Sequence, residues 1–366
     1  MFSLHRELEV RLLLLLLFLA CTLLSPLPGQ DGFFPVIGGL PADSGFALGA
    51  GYQKERLAGG VADFRAFAIG SVKKYEHLEL RLDAPRLSSE RLFAEFATRY
   101  RNYPQENFWG LGPDIDESRR ANFRLEDLLV SGAGGFRPLK RLRIGATAGY
   151  LRANAGPGKD KATLSIERLF TPEQVPGLVA QPDYSLFGAF ADFDSRDIAS
   201  DPRAGGFYQA RWTYFDDRDF NRFSFRRYEI ELQQFFPTHE KRGTFATRGL
   251  VSLIDTSPGQ EVPFFMQQTV GGSNTLRGYR QDRFRDKNRL LFNLEYRWEV
   301  MEYLDLVGFG DAGRVFSGRG DLSLDGMRGS VGIGGRVKFK ERVWLGLDIG
   351  YSREGVRIWL RGSNIL

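Results

Sequence analysis

From residue 31 onward the chain keeps one rhythm, an alternation of apolar and polar residues. In 288–300, Leu290, Phe292, Leu294, Tyr296, Trp298 and Val300 fall on one face and Asn293, Glu295, Arg297 and Glu299 on the other. This is the period-two pattern of a strand whose faces meet different media. Leu78, Leu80 and Leu82 oppose His77, Glu79, Arg81 and Asp83 in the same way, and Tyr208, Ala210, Trp212 and Tyr214 oppose Gln209, Arg211 and Thr213. An ordinary strand runs roughly 5–6 residues, whereas a tilted membrane-spanning strand needs about 9–11, and these segments have the longer length. The pattern predicts strands at 32–40, 45–56, 60–71, 73–84, 89–102, 121–136, 140–152, 184–195, 205–216, 221–236, 241–255, 288–300, 303–316, 327–339, 342–352 and 355–366. Hydrocarbon leaves no partner for an open sheet edge, so such a sheet has to close. The expected fold class is all-β, a transmembrane antiparallel β-barrel of about 16 strands, an even number as bacterial single-chain barrels have. The long gaps near 103–120, 153–183, 256–287 and 317–326 all fall at one end, which short periplasmic turns and long external loops would make the outer end.

The N-terminus departs from this rhythm. Arg6 and Arg11 precede the uncharged run Leu12–Leu24, which falls short of the roughly 20 apolar residues of a spanning helix and fits the hydrophobic region of a secretory signal. Residues 1–30 are expected to be a cleaved signal peptide and 31–366 the barrel. The cut stays open within Ser25–Gln30. Cys21, the single cysteine, lies in the expected signal, so the mature chain would hold no disulfide and no thiolate metal ligand. The net charge of +5 is modest, and an exported chain meets lipid rather than nucleic acid.

The histidines are His5, His77 and His239. No Ser-His-Asp arrangement, metal-ligand cluster or phosphate-binding glycine loop can be assembled around them. The sequence thus reads against an enzyme, with no catalytic residue, metal or cofactor expected. Pairs such as Asp216 and Asp217 read as a solvated loop face.

Three motifs carry a family resemblance. Val270-Gly271-Gly272-Ser273-Asn274-Thr275-Leu276-Arg277-Gly278-Tyr279, in the longest loop, resembles the loop signature of the BamA-type bacterial surface antigen superfamily, with Leu276, Arg277, Gly278 and Tyr279 at its core. Phe309-Gly310-Asp311-Ala312-Gly313 resembles that family's F-x-D-x-G strand motif. Asp194-Ser195-Arg196-Asp197, followed by Asp201-Pro202-Arg203-Ala204-Gly205-Gly206, is similar to its periplasmic turn. The resemblance implies a sixth outer loop folded into the lumen, with Gly271, Gly272, Asn274, Phe309 and Gly313 in support.

The residues themselves allow such a loop to be locked. Glu295 lies on the polar face of its strand and Asp311 shares a face with Phe309, so both carboxylates can point inward. A guanidinium at Arg277 offers five donors in a fixed fork to receive them. The alternative is a solvated lumen arginine among many. The family also implies a weak seam between the first and last strands. Pro35, Gly38 and Gly39 at one end and Gly355 and Gly362 at the other fit either a seam or frayed terminal strands.

Three functions remain at this stage. One is a short assembly or translocation barrel in the outer membrane of a Gram-negative-type bacterium, without room for periplasmic POTRA modules between the signal and the first strand. Its implied partners are outer-membrane lipid, unfolded outer-membrane or secreted polypeptides, and separate periplasmic proteins. The second is a passive anion-leaning channel lined by Arg297, Arg336, Lys338, Arg357 and Arg361, or a structural surface protein. The third, an outer-membrane enzyme, lacks candidate chemistry.

Overall fold

The computed structural model describes residues 31–238, 242–339 and 342–361. The expected signal peptide with Cys21, as well as His239 and Gly362, lies outside the described residues. Eighteen strands are present among these: β1 (Gly32–Ile37), β2 (Ala47–Arg56), β3 (Ala62–Ser71), β4 (Glu76–Leu87), β5 (Leu92–Phe108), β6 (Ala121–Leu139), β7 (Leu142–Pro157), β8 (Asp183–Asp194), β9 (Gly205–Asp217), β10 (Phe225–Pro237), β11 (Gly243–Asp255), β12 (Gln268–Val270), β13 (Phe284–Asp286), β14 (Asn288–Met301), β15 (Leu304–Phe316), β16 (Arg328–Phe339), β17 (Arg342–Ser352) and β18 (Gly355–Arg361).

Sixteen of them form one antiparallel sheet in chain order, each strand bonded to its sequence neighbours, while β12 and β13 pair separately inside the 256–287 loop. The sheet curls into a barrel. Loop 109–120, which follows β5, reaches strands at the far end of the sheet, where Arg328 of β16 donates to the Pro113 carbonyl at 3.0 Å and meets the Asp114 carboxylate. Among the described residues, no ladder joins β1 to β18.

The alternation has the physical meaning expected of a membrane barrel. Leu78, Phe96, Trp212, Ile230, Phe292, Leu294, Trp298, Ile333 and Leu347 are exposed on the outer face, an apolar surface suited to lipid. The inner face carries the charged positions. At the long-loop end, Phe108, Phe123, Tyr184, Phe215, Phe225 and Ile254 point inward from β5, β6 and β8–β11, and pack with Ile166, Phe170, Val175, Phe264 and Phe265 from the loops. Each such burial contributes about 1.5–3 kcal/mol, so this end is closed by an apolar dome.

Several boundaries differ from the sequence reading. β5 and β7 run past 102 and 152, to Phe108 and Pro157, because their ends still pair with β6 (Asn107 with Asn122, Phe123 with Pro157) beneath that dome. β1 stops at Ile37, and Gly38 and Gly39 adopt φ of 70° and 85° in the turn that follows. β5 starts at Leu92 rather than 89, since Ser88, Ser89 and Glu90 form a turn with φ of 47°, 56° and 67°. The β12–β13 pair within the long loop has no periodic signal to announce it, being three residues a strand.

Candidate functional site

The 271–282 segment is folded tightly on itself before it meets the wall. The Gly272 N–H donates to the carbonyls of Leu276 and Tyr279, both at 3.2 Å, Thr275 N–H donates to the Gly272 carbonyl at 3.2 Å, and Thr275 Oγ1 accepts from Gly271 N–H at 2.8 Å. Gly271 and Gly272 have φ of 116° and 100°, and a Cβ on either would lie 2.4 or 2.2 Å from the far side of the knot, at the Arg280 carbonyl and the Gln281 side chain. Only glycine fits both the backbone and the space. Leu276 and Tyr279 bury with Leu250, Val270, Phe284, Leu291 and Val315, and Tyr279 meets the Phe284 ring edge-on at 5.3 Å.

This knot presents Arg277 to the inner faces of β14 and β15. Nη1 donates to Glu295 Oε1 at 2.5 Å, Nη2 to Asp311 Oδ1 at 2.6 Å, and Nε to Asp311 Oδ2 at 3.0 Å. The Arg277 backbone N–H also donates to Asp311 Oδ2, at 3.0 Å. All three side chains are fully buried. The guanidinium carbon lies 3.5 Å from the centre of the Phe309 ring, and Phe309 in turn lies over Gly332, where a Cβ would be 2.3 Å from it. Charge, fork geometry and aromatic face all act on one group.

The network extends beyond the motif residues. Asp311 also accepts from Asn293 Nδ2 at 2.8 Å and Ser330 Oγ at 3.1 Å. Glu295 Oε2 accepts from Arg297 Nε at 3.0 Å. Asp348 accepts from Arg336 Nη1 at 2.6 Å and Arg361 Nη1 at 3.3 Å, and lies 3.8 Å from Arg277. Burying charges of one sign here would be prohibitive; interleaving them makes the layer tolerable, and removing one partner exposes the others to the full desolvation penalty.

The wall has been hollowed to receive the loop backbone. A Cβ on Gly350 would sit 2.4 Å from the Arg277 carbonyl, and one on Gly278 would sit 2.7 Å from Ser330 and Ser352. Ser352 Oγ donates to the Gly278 carbonyl at 2.8 Å, and the Trp359 indole N–H of β18 donates to the Arg277 carbonyl at 2.6 Å. Arg361 Nη1 donates to the Ser273 carbonyl at 2.7 Å and Nη2 to Asn274 Oδ1 at 3.5 Å.

Thus Leu276, Arg277, Gly278, Tyr279, Gly271, Gly272, Asn274, Glu295, Phe309, Asp311 and Gly313 are brought together, with Gly313 3.4 Å (as a Cβ) from Leu276. Pro35 lies apart, on β1, which among the described residues has a single neighbour in the sheet. Gly355 serves the two-residue turn into β18 with φ of 96°. Arg297, Arg336, Lys338, Arg357 and Arg361, read from sequence as a positive lining, each lie within 4 Å of a carboxylate. Asp348, Gly350 and Trp359 escaped the sequence reading, and Asn293 entered it only as a polar-face position of its strand. For Asp348 and Gly350 the signal was present as the inner parity of β17, where Gly346, Asp348, Gly350 and Ser352 alternate with Leu345, Leu347, Ile349 and Tyr351.

Residues 179–339 match the Omp85 superfamily domain, a segment that contains the loop knot, Glu295 and Asp311. Among solved structures, the fold is similar to BamA from Haemophilus ducreyi lacking POTRA domains 1–3, with TM-score 0.66 at 14% identity over 91% of this chain and 70% of that one. It is also similar to CdiB from Escherichia coli (TM-score 0.60, 12% identity, 90% of this chain and 61% of that one). CdiB from Acinetobacter baumannii gives TM-score 0.56 at 11% identity, over 90% and 58%. The chain therefore spans about three-fifths of each CdiB. No curated protein matches the sequence.

Proposed function

We propose that this chain, which carries an Omp85 superfamily domain on a sixteen-stranded barrel, is an outer-membrane assembly or translocation barrel whose inner loop, seated through Arg277, keeps the lumen closed at rest. The observation that supports this most is the seat itself: a loop tip held by two buried carboxylates and by the last strand through Trp359. A loop anchored this way changes its hold whenever the wall carrying β14–β18 moves, which is what a barrel that opens sideways would need.

In this reading residues 1–30 export the chain, the outer face meets membrane lipid, unfolded outer-membrane or secreted polypeptides are the substrate, and separate periplasmic proteins deliver them. β1 and β18 form the seam. Among the described residues no ladder joins these two edges, and Pro35 removes one donor from β1. A passive anion channel fits less well, since the inner arginines of β14–β18 face carboxylates instead of an open pore.

The test is planar-bilayer conductance of the purified mature protein and of Arg277→Ala. Low, flickering wild-type current that rises markedly on substitution supports the seated loop. A large steady current indifferent to the substitution overturns it.

A further inference from the structure

The β8–β9 turn, residues 195–204, lies at the opposite end of the barrel from the long loop and is rigid in its own right. Ser195 N–H donates to the Gly206 carbonyl at 2.8 Å, Asp197 N–H to the Ala204 carbonyl at 3.1 Å, and Asp197 Oδ1 accepts from Arg203 N–H at 3.0 Å. Gly205 closes it with φ of 88°, at a position where a Cβ would be 2.1 Å from the Ser195 carbonyl.

Instead of turning outward, it crosses under the lumen to strands that are not its neighbours. Arg203 Nη2 meets Asp201 Oδ2 at 3.1 Å and contacts the buried carboxylate of Asp305 on β15. Lys338 of β16 holds the other oxygen of Asp305 at 2.9 Å, and also Glu299 of β14 at 2.8 Å. Arg297 Nη1 donates to the Pro202 carbonyl at 3.4 Å and lies 3.8 Å from Asp201. Through its Nε the same Arg297 bonds Glu295, whose other oxygen receives Arg277. The inner turn, by way of Arg297, and the outer loop, by way of Arg277, therefore meet at one buried carboxylate.

We propose that the 195–204 turn is a second latch, facing the short-turn side, with Arg203 as its positioning residue, and that it is coupled to the Arg277 seat through Arg297 and Glu295. The inference rests on the proposed role of Arg277 in closing the lumen. Freeing either end relaxes the shared Glu295–Arg297 pair and weakens the hold on the other, so a polypeptide pressing on the turn from the short-turn side would loosen the outer loop without touching it. Groups that share one buried network respond non-additively when both are removed.

Open fraction and conductance in planar bilayers are measured for Arg203→Ala, Asp305→Asn and the exchanged pair Arg203→Asp with Asp305→Arg, each with and without Arg277→Ala. Heat-modifiable gel mobility and Arg203→Lys establish that the barrels are folded. The expected result is that Arg203→Ala raises the open fraction alone, that its effect shrinks by about threefold or more in the Arg277→Ala background, and that the exchanged pair returns toward wild type. Independent, multiplying effects, or no effect of Arg203→Ala in folded barrels, overturn the coupled latch. If Arg277→Ala changes nothing while Arg203→Ala opens the pore, it is the seated-loop reading that fails, and the coupling with it, leaving the inner turn as a separate gate.

Discussion

The two walls of the lumen are built from the same alternation and end in different states. On the β14–β18 side one layer of inner charges is dry: Arg277 of the loop and Glu295, Asp311, Arg336 and Asp348 of the strands have no exposed side-chain surface. On β4–β7 several inner pairs stay wet, although Asp127 is buried beside Arg101. Arg81 and Asp83 are 45% and 36% exposed at 3.4 Å, and Arg143 and Glu95 are 33% and 25% exposed at 2.9 Å. The strand pattern is not what separates them; the 271–282 knot lies directly on the dry layer. Exposed pairs of this kind contribute about 0–1 kcal/mol, while a buried charge stripped of its partner costs about 3–5 kcal/mol. An inward charge thus becomes structural only once something covers it.

Glu295→Ala should show the largest contrast. It strips a shared carboxylate from Arg277 and Arg297 and should lower stability in urea by about 3–5 kcal/mol, whereas Arg81→Ala on the wet wall should fall within about 0.5 kcal/mol of wild type. Equal losses would erase the distinction between the walls. Gly350→Ala comes next, since its Cβ would press on the Arg277 carbonyl; the cost should be about 1–3 kcal/mol, with the loop becoming open to protease. Gly132→Ala, whose Cβ would have nothing nearer than 3.8 Å, is the matched control and should be silent in both measurements. Trp359→Phe removes one N–H to the Arg277 carbonyl and should cost about 1 kcal/mol, read as faster amide exchange in 271–279.

The smallest effect is a difference in pH response between the outer loops of the two walls. Burial pushes Glu354, beside β18, above the usual carboxylate range against the opposing pull of Arg283. Its contribution to stability is therefore complete below the ordinary glutamate range and is lost as pH rises through the raised value. Asp160, in the loop after β7, has the opposite sign. Burial would raise it, but the Ala162 N–H and the Thr163 hydroxyl hold it low, so its contribution is present at neutral pH and lost on acidification. Thermal melts between pH 3 and 7 of Glu354→Gln and Asp160→Asn should deviate from wild type in opposite directions; deviations of the same sign would discard the assignment.

Much of this was legible because a membrane barrel writes both of its solvents into each strand. Leu290 to Val300 against Asn293 to Glu299 predicted the outer and inner faces of β14. Arg277, Glu295 and Asp311 stood out by motif and parity. What remained hidden depended on packing across the lumen. Asp348 and Trp359 matter because a loop some 80 residues earlier rests on them, and no local pattern carries that distance. The reach of β5 to Phe108 depended on an apolar dome contributed by strands from β5 to β11 and by three loops. Arg297 and Arg336 were read as pore charges because a sequence does not show which inner faces a loop will cover.

The bond from Trp359 to the Arg277 carbonyl has a temporal side. Together with Arg361 it makes β18 a part of the loop's socket, so the socket is complete only once β18 has joined the sheet. The loop is made well before its last anchor arrives. Full seating therefore requires the sixteenth strand of the sheet, and a barrel cut short of that strand would carry the knot of 271–282 ready-made but fastened on one side only.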